Sequence, residues 1–92
     1  MDKREKWQSM EKMLRELEDV KNSQTSVLKK IAQIEADNMN AGISLLDSKL
    51  PDIHGEVDDA IIKIDELITE FGDHRDKFVK DNKLDVEEVS TV

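Results

Sequence analysis

A seam that is apolar except at Gln24 and Asn38 runs along the first half of the chain at alternating steps of three and four: Met10, Met13, Leu17, Val20, Gln24, Val27, Ile31, Ile34, Asn38, Ala41 and Leu45. This spacing places one or two side chains per turn on a single helical face. Sustained over about five heptads, it is the a/d seam of a coiled coil. Leu14 and Leu28 widen the stripe. "NSQTS" at 22–26 is polar but holds neither Gly nor Pro, and the heptad passes through it in phase with Gln24 at a seam position. It reads as a polar layer in one continuous helix; a loop there would give a three-helix bundle instead. Asn38 is another polar seam residue, a type that sets register and oligomer state in coiled coils or simply marks a helix end.

A second stripe is cleaner: Ile43, Leu46, Leu50, Ile53, Val57, Ala60, Ile64, Leu67, Phe71, His74 and Phe78, broadened by Ile61 and Ile68. The two stripes are out of phase, so the apolar face changes direction between about 38 and 55. Two segments compete for the turn. "NMNAG" at 38–42 offers Gly42 as a helix C-cap. "KLPDIHGE" at 49–56 offers Pro51, suited to a first helical turn and costly in a helix interior, followed by Asp52, Glu56, Asp58 and Asp59, which suit the positive end of a helix. The acids favour the second choice. The expected fold is all-α: a helical hairpin, or antiparallel coiled coil, in a single domain over 1–81. Its helices run over about 4–48 and 52–81 with the turn at 49–55, and a disordered tail follows over 82–92.

With that break the first helix outlasts the second, leaving Trp7, Met10, Met13, Leu14, Leu17 and Val20 without cover in the chain. These six form the expected partner interface, because uncovered apolar stripes of that size meet a partner. On the helix surfaces, acid-before-base pairs four apart are expected at Glu11–Arg15, Asp59–Lys63, Asp73–Lys77 and Asp76–Lys80.

Composition agrees with long helices: 37% hydrophobic and 39% charged residues, with Trp7, Phe71 and Phe78 the only aromatic ones. The net charge of −8 is uneven. Residues 1–46 balance, and the whole acidic excess falls in 47–92, which disfavours nucleic acid. No run approaches the ~18 apolar residues of a membrane span. Cysteine is absent, which removes disulfides and thiolate metal sites. "MDKREKWQSM" has no apolar leader, so a cytoplasmic setting is expected, with secretion by a non-classical route as the alternative.

Candidate chemistry is sparse. His54 and His74 are the only histidines and show no metal-ligand spacing. His54 reads as a turn residue. In "GDHRD", Asp73, His74 and Asp76 point in different directions around a helix and cannot converge alone. Asp58/Asp59 and Glu87/Glu88 lack a pocket in which a general acid and base could work. No cofactor, metal or enzymatic activity is expected. The terminal "VSTV" matches a C-terminal PDZ ligand through Ser90 and Val92.

The pattern points to a non-enzymatic helical interaction or assembly module, bound to itself or to a partner protein. A small acidic inhibitor of a basic protein surface is a second reading. In length, acidity and lack of cysteine the chain is also similar to the WXG-type secreted hairpins of bacteria, which implies a secreted hairpin or its secretion partner. Their Trp-x-Gly turn is absent, since Trp7 precedes Gln8 and Ser9. Their aromatic-x-x-x-acid export signal is absent too, since Phe71 leads to Arg75 and Phe78 to Asn82.

Overall fold

A computed structural model describes residues 1–85. Two helices of nearly equal length, α1 (Lys3–Ala41) and α2 (Ser44–Asp81), pack side by side as an antiparallel hairpin. The helical hairpin expected from the two stripes is what the chain forms. It is elongated, 71 × 20 × 17 Å, and its radius of gyration of 20.6 Å compares with about 12 Å for a compact domain of this length.

The turn lies at Gly42 and Ile43, not at 49–55. Gly42 takes a left-handed backbone (φ 64°) and its N–H closes onto the Asn38 carbonyl at 2.8 Å. Asn38, 4% exposed, then clasps the turn with its side chain. Its Oδ1 accepts from Ile43 N–H (2.9 Å), and its Nδ2 donates to the Ile43 carbonyl (3.1 Å) and to Asp47 Oδ1 (2.7 Å). A glycine in the αL region together with a satisfied buried amide ends α1 more firmly than a proline nine residues later could. Pro51 therefore sits inside α2, which is helical on both sides of it. The crowd of acids after Pro51 is a solvated surface of a helix already under way: Asp52, Glu56, Asp58 and Asp59 are all exposed.

α1 runs unbroken through 22–26, so the three-helix alternative does not form. Its hydroxyls stay within the helix, with Thr25 Oγ1 donating to the Lys21 carbonyl (2.9 Å) and Ser26 Oγ to that of Asn22 (3.2 Å). At the start of α1, Asp2 and Glu5 form a reciprocal capping box: Glu5 N–H to Asp2 Oδ1 at 2.8 Å, and Asp2 N–H to Glu5 Oε1 at 3.3 Å. α2 ends in a Schellman motif. Leu84 N–H reaches the Val79 carbonyl (2.9 Å), Lys83 N–H that of Lys80 (3.1 Å), and Lys83 occupies the left-handed position (φ 55°). The rest of the expected tail and the "VSTV" motif with Ser90 and Val92 lie outside the described residues.

Candidate interaction surface

Heptad lines show how each helix is used. With Met10 and Leu50 at position a, the a lines are Met10, Leu17, Gln24, Ile31 and Asn38 in α1, and Leu50, Val57, Ile64, Phe71 and Phe78 in α2. All are buried or half-buried. So are the e lines: Trp7, Leu14, Lys21, Leu28 and Glu35 in α1, and His54, Ile61, Ile68 and Arg75 in α2. The hairpin thus closes on a and e. The d lines, which the 3-4 spacing assigns equally to the seam, stay largely open: Met13 44%, Val20 44%, Val27 42% and Ile34 44% exposed in α1, and Ile53 45% and Leu67 48% in α2, while Leu46 and Ala60 of α2 are half-buried.

Both d lines fall on one face. At about 100° per residue, d lies roughly 80° to one side of the direction joining the helices and b roughly 80° to the other. Reversing one helix, as in an antiparallel pair, brings d beside d and b beside b. A groove of about 540 Å³ displays this directly, with Met13, Leu17 and Val20 of α1 facing Leu67 and Phe71 of α2 along a lining whose one charged residue is Glu16.

The opposite face is tied by polar contacts, through residues of the e and b lines. Arg75 Nη1 donates to Glu11 Oε1 (2.9 Å), Lys21 Nζ to Asp65 Oδ1 (2.6 Å), and His54 Nδ1 meets Glu35 Oε1 at 2.6 Å. From Glu11 to Lys21 and from Arg75 back to Asp65 the steps are equal, so these pairs mark one antiparallel register. Partial burial works against the Arg75 charge, but hydrogen bonds to Glu11 and Asp76 more than offset it and hold the guanidinium above its ordinary pKa. The hydrogen bond to Asp65 likewise holds the Lys21 ammonium high. His54 is accordingly a helical residue with a cross-helix partner, not a turn residue.

The expected surface pairs at i, i+4 give way to these links. Glu11 leaves Arg15 for Arg75, Asp76 also bonds Arg75, Lys77 bonds Asp81 (2.9 Å), and Asp59–Lys63 forms no ion pair. Only Glu11 exchanges a neighbour on its own helix for a partner across the seam, where water is partly excluded; Asp76 and Lys77 change partners within α2.

The six residues expected at the interface divide. Met10 is buried at 4%, and Trp7, Leu14 and Leu17 are half-buried, because the early turn lets α2 run back along the whole of α1. Met13 and Val20 remain on the open face. Val27, Ile34, Ile53 and Leu67 join them there, and the heptad would have named them once the inward line was known. Trp7 packs at the tied side near Val79 with the Arg4 guanidinium 5.9 Å from its ring, and its buried indole N–H has no hydrogen-bond partner.

The ends of the open face are polar. Lys6 Nζ sits 5.4 Å from the Phe78 ring, and His74 stacks on Phe71 with centroids 6.4 Å apart. Asn38 and the turn bound the other end. Among the described residues no three of His, Cys, Asp and Glu are grouped to hold a metal, and no helix is long and apolar enough to cross a membrane. The surface offers apolar contact bordered by charge. No family model matches the chain, and no curated protein or solved structure does either.

Proposed function

We propose that the protein is a non-enzymatic helical interaction module, and that the open d/a face of the hairpin is where it binds. The observation behind this reading is the asymmetry of the two faces. One is closed by three cross-helix polar contacts, while the other leaves six large aliphatic or Met side chains about half exposed at heptad spacing. A coiled-coil seam buries both a and d. Here d is covered only in part, so a further amphipathic helical surface completes the packing. Isolated exposed apolar residues are ordinary, but a continuous stripe of this kind marks an interaction site. The acidic α2 contributes solubility and partner choice. Without cysteine, the fold needs no oxidising compartment.

Light scattering together with binding of an apolar dye tests this reading. Association, or dye binding that disappears in Val20→Glu and Leu67→Glu, is the expected result. A strict monomer that binds no dye would sink it.

A further inference from the structure

Resting on that reading, we infer that the occupant of the open face is a second copy of this chain, laid head-to-tail so that α2 packs on α2 in an antiparallel four-helix bundle. Three observations lead there.

The first is geometric. In a four-helix bundle each helix touches two neighbours, and its core is made of a and d, with e flanking one neighbour and g the other. Within the hairpin a and e already face inward, and the cross-helix pair Glu35–His54 joins e to e. What is left is a d line and a g line on each helix, the set that a second hairpin would engage.

The second is area. From Met10 to Asn38 the stripe is roughly 40 Å long at ~1.5 Å per residue, and the hairpin is 20 Å wide. Covering it takes about 800 Å² from each copy, the size of a standard stable interface. The surface is also self-complementary in kind, since both copies offer aliphatic and Met side chains.

The third is charge, and it selects the orientation. The g line of α2 reads Lys49, Glu56, Lys63, Glu70, Lys77, with alternating sign at every heptad. Lys49, Glu56, Lys63 and Glu70 make no ion pair among the described residues, and Lys77 bonds only Asp81 within its own helix. In an antiparallel contact g meets g. Setting α2 against the α2 of the other copy with Lys63 opposite Glu70 also sets Glu56 opposite Lys77, and the two-fold axis doubles each pair. The alternative two-fold, turn beside turn, lays α2 on α1: it too sets opposite charges together, Glu56 with Lys30 and Lys49 with Asp37, but it sets Glu70 against Glu16, whereas no like charges meet along the g line in the α2–α2 contact. The acids at position c, Asp52, Asp59, Glu66 and Asp73, lie on the outer edge of α2, away from α1. There like charges of the two copies are separated and screened by salt.

Sedimentation equilibrium on the full chain, with Lys63→Glu, Glu70→Lys and the double variant, tests the arrangement. Wild type is expected to be a dimer. Each single change turns two attractions into two repulsions and weakens the dimer about tenfold, and the double variant recovers to within about threefold. Tighter dimerisation of Glu70→Lys would overturn the head-to-tail arrangement, because it is what relief of the Glu16 contact predicts. A monomer that still binds apolar dye through Val20 and Leu67 would overturn the second copy while leaving the open face as an interface for another protein. A monomer that binds no dye would remove both. Helicity by circular dichroism, expected to be unchanged, separates lost association from lost folding.

Discussion

A single amide decides where this chain turns. Asn38 is nearly buried, and its side chain satisfies both the N–H and the carbonyl of Ile43 while also holding Asp47. Removing it in Asn38→Ala takes away three hydrogen bonds at about 0.5–1.5 kcal/mol each. A loss of about 2 kcal/mol in urea unfolding is expected, and a greater one for Asn38→Asp, whose carboxylate would face Asp47. Gly42 acts through its backbone, since a Cβ there would meet nothing within 4 Å while φ is 64°. Gly42→Ala should therefore cost about 1 kcal/mol from conformation alone. The opposite substitution is informative at the far end, where Lys83 occupies a left-handed position with φ 55°. Lys83→Gly should stabilise by up to about 1 kcal/mol, read as a higher urea midpoint.

Among the elements, α2 holds the main difference between expectation and structure. Proline rules and a run of acids favoured a helix start at Pro51, yet the second stripe begins at Ile43 and Leu46 and keeps its phase through Leu50 and Ile53. A break at 49–55 would have disturbed that phase, so the signal for the early turn was already legible in the heptads. Local propensity at Pro51 yielded to packing, because a longer α2 sets Leu46 and Leu50 against the end of α1. The proline still removes one helical hydrogen bond, that to the Asp47 carbonyl. Pro51→Ala is expected to raise stability by about 1–3 kcal/mol in thermal or urea unfolding, and a destabilised variant would show that the ring itself packs. The capping box of α1 was equally legible as Asp-x-x-Glu at Asp2 and Glu5. The Glu5 N–H holds the Asp2 carboxyl below its ordinary value of 3.8. Its stabilisation is present above that value and is lost as pH falls through the lower folded one. Amide exchange in the first turn of α1 should therefore rise, relative to the rest of the helix, only in strong acid, and Asp2→Ala should show the raised exchange at neutral pH.

For the whole molecule, burial is scarce. Met10, Ile31 and Val79 are the buried apolar residues among those described, and no side chain is fully enclosed. A hairpin of this kind gains much of its stability from what covers it, so unfolding should become concentration-dependent wherever the open face is occupied. Diluting the protein is then expected to lower its melting temperature, and Val20→Glu with Leu67→Glu should abolish that dependence. The sequence by itself determined that the chain is helical, that there are two amphipathic stripes, and that they cannot lie on one straight helix. Those properties follow from periodicity, which is local. Which of three adjacent apolar lines faces the other helix is not local. It depends on the antiparallel register, on Asn38 finding Ile43 and Asp47, and on Glu11, Lys21 and Glu35 finding Arg75, Asp65 and His54 across the seam. Only the tertiary structure decided that a and e close the hairpin and d stays open, because packing two helices leaves one flank of each stripe without a neighbour.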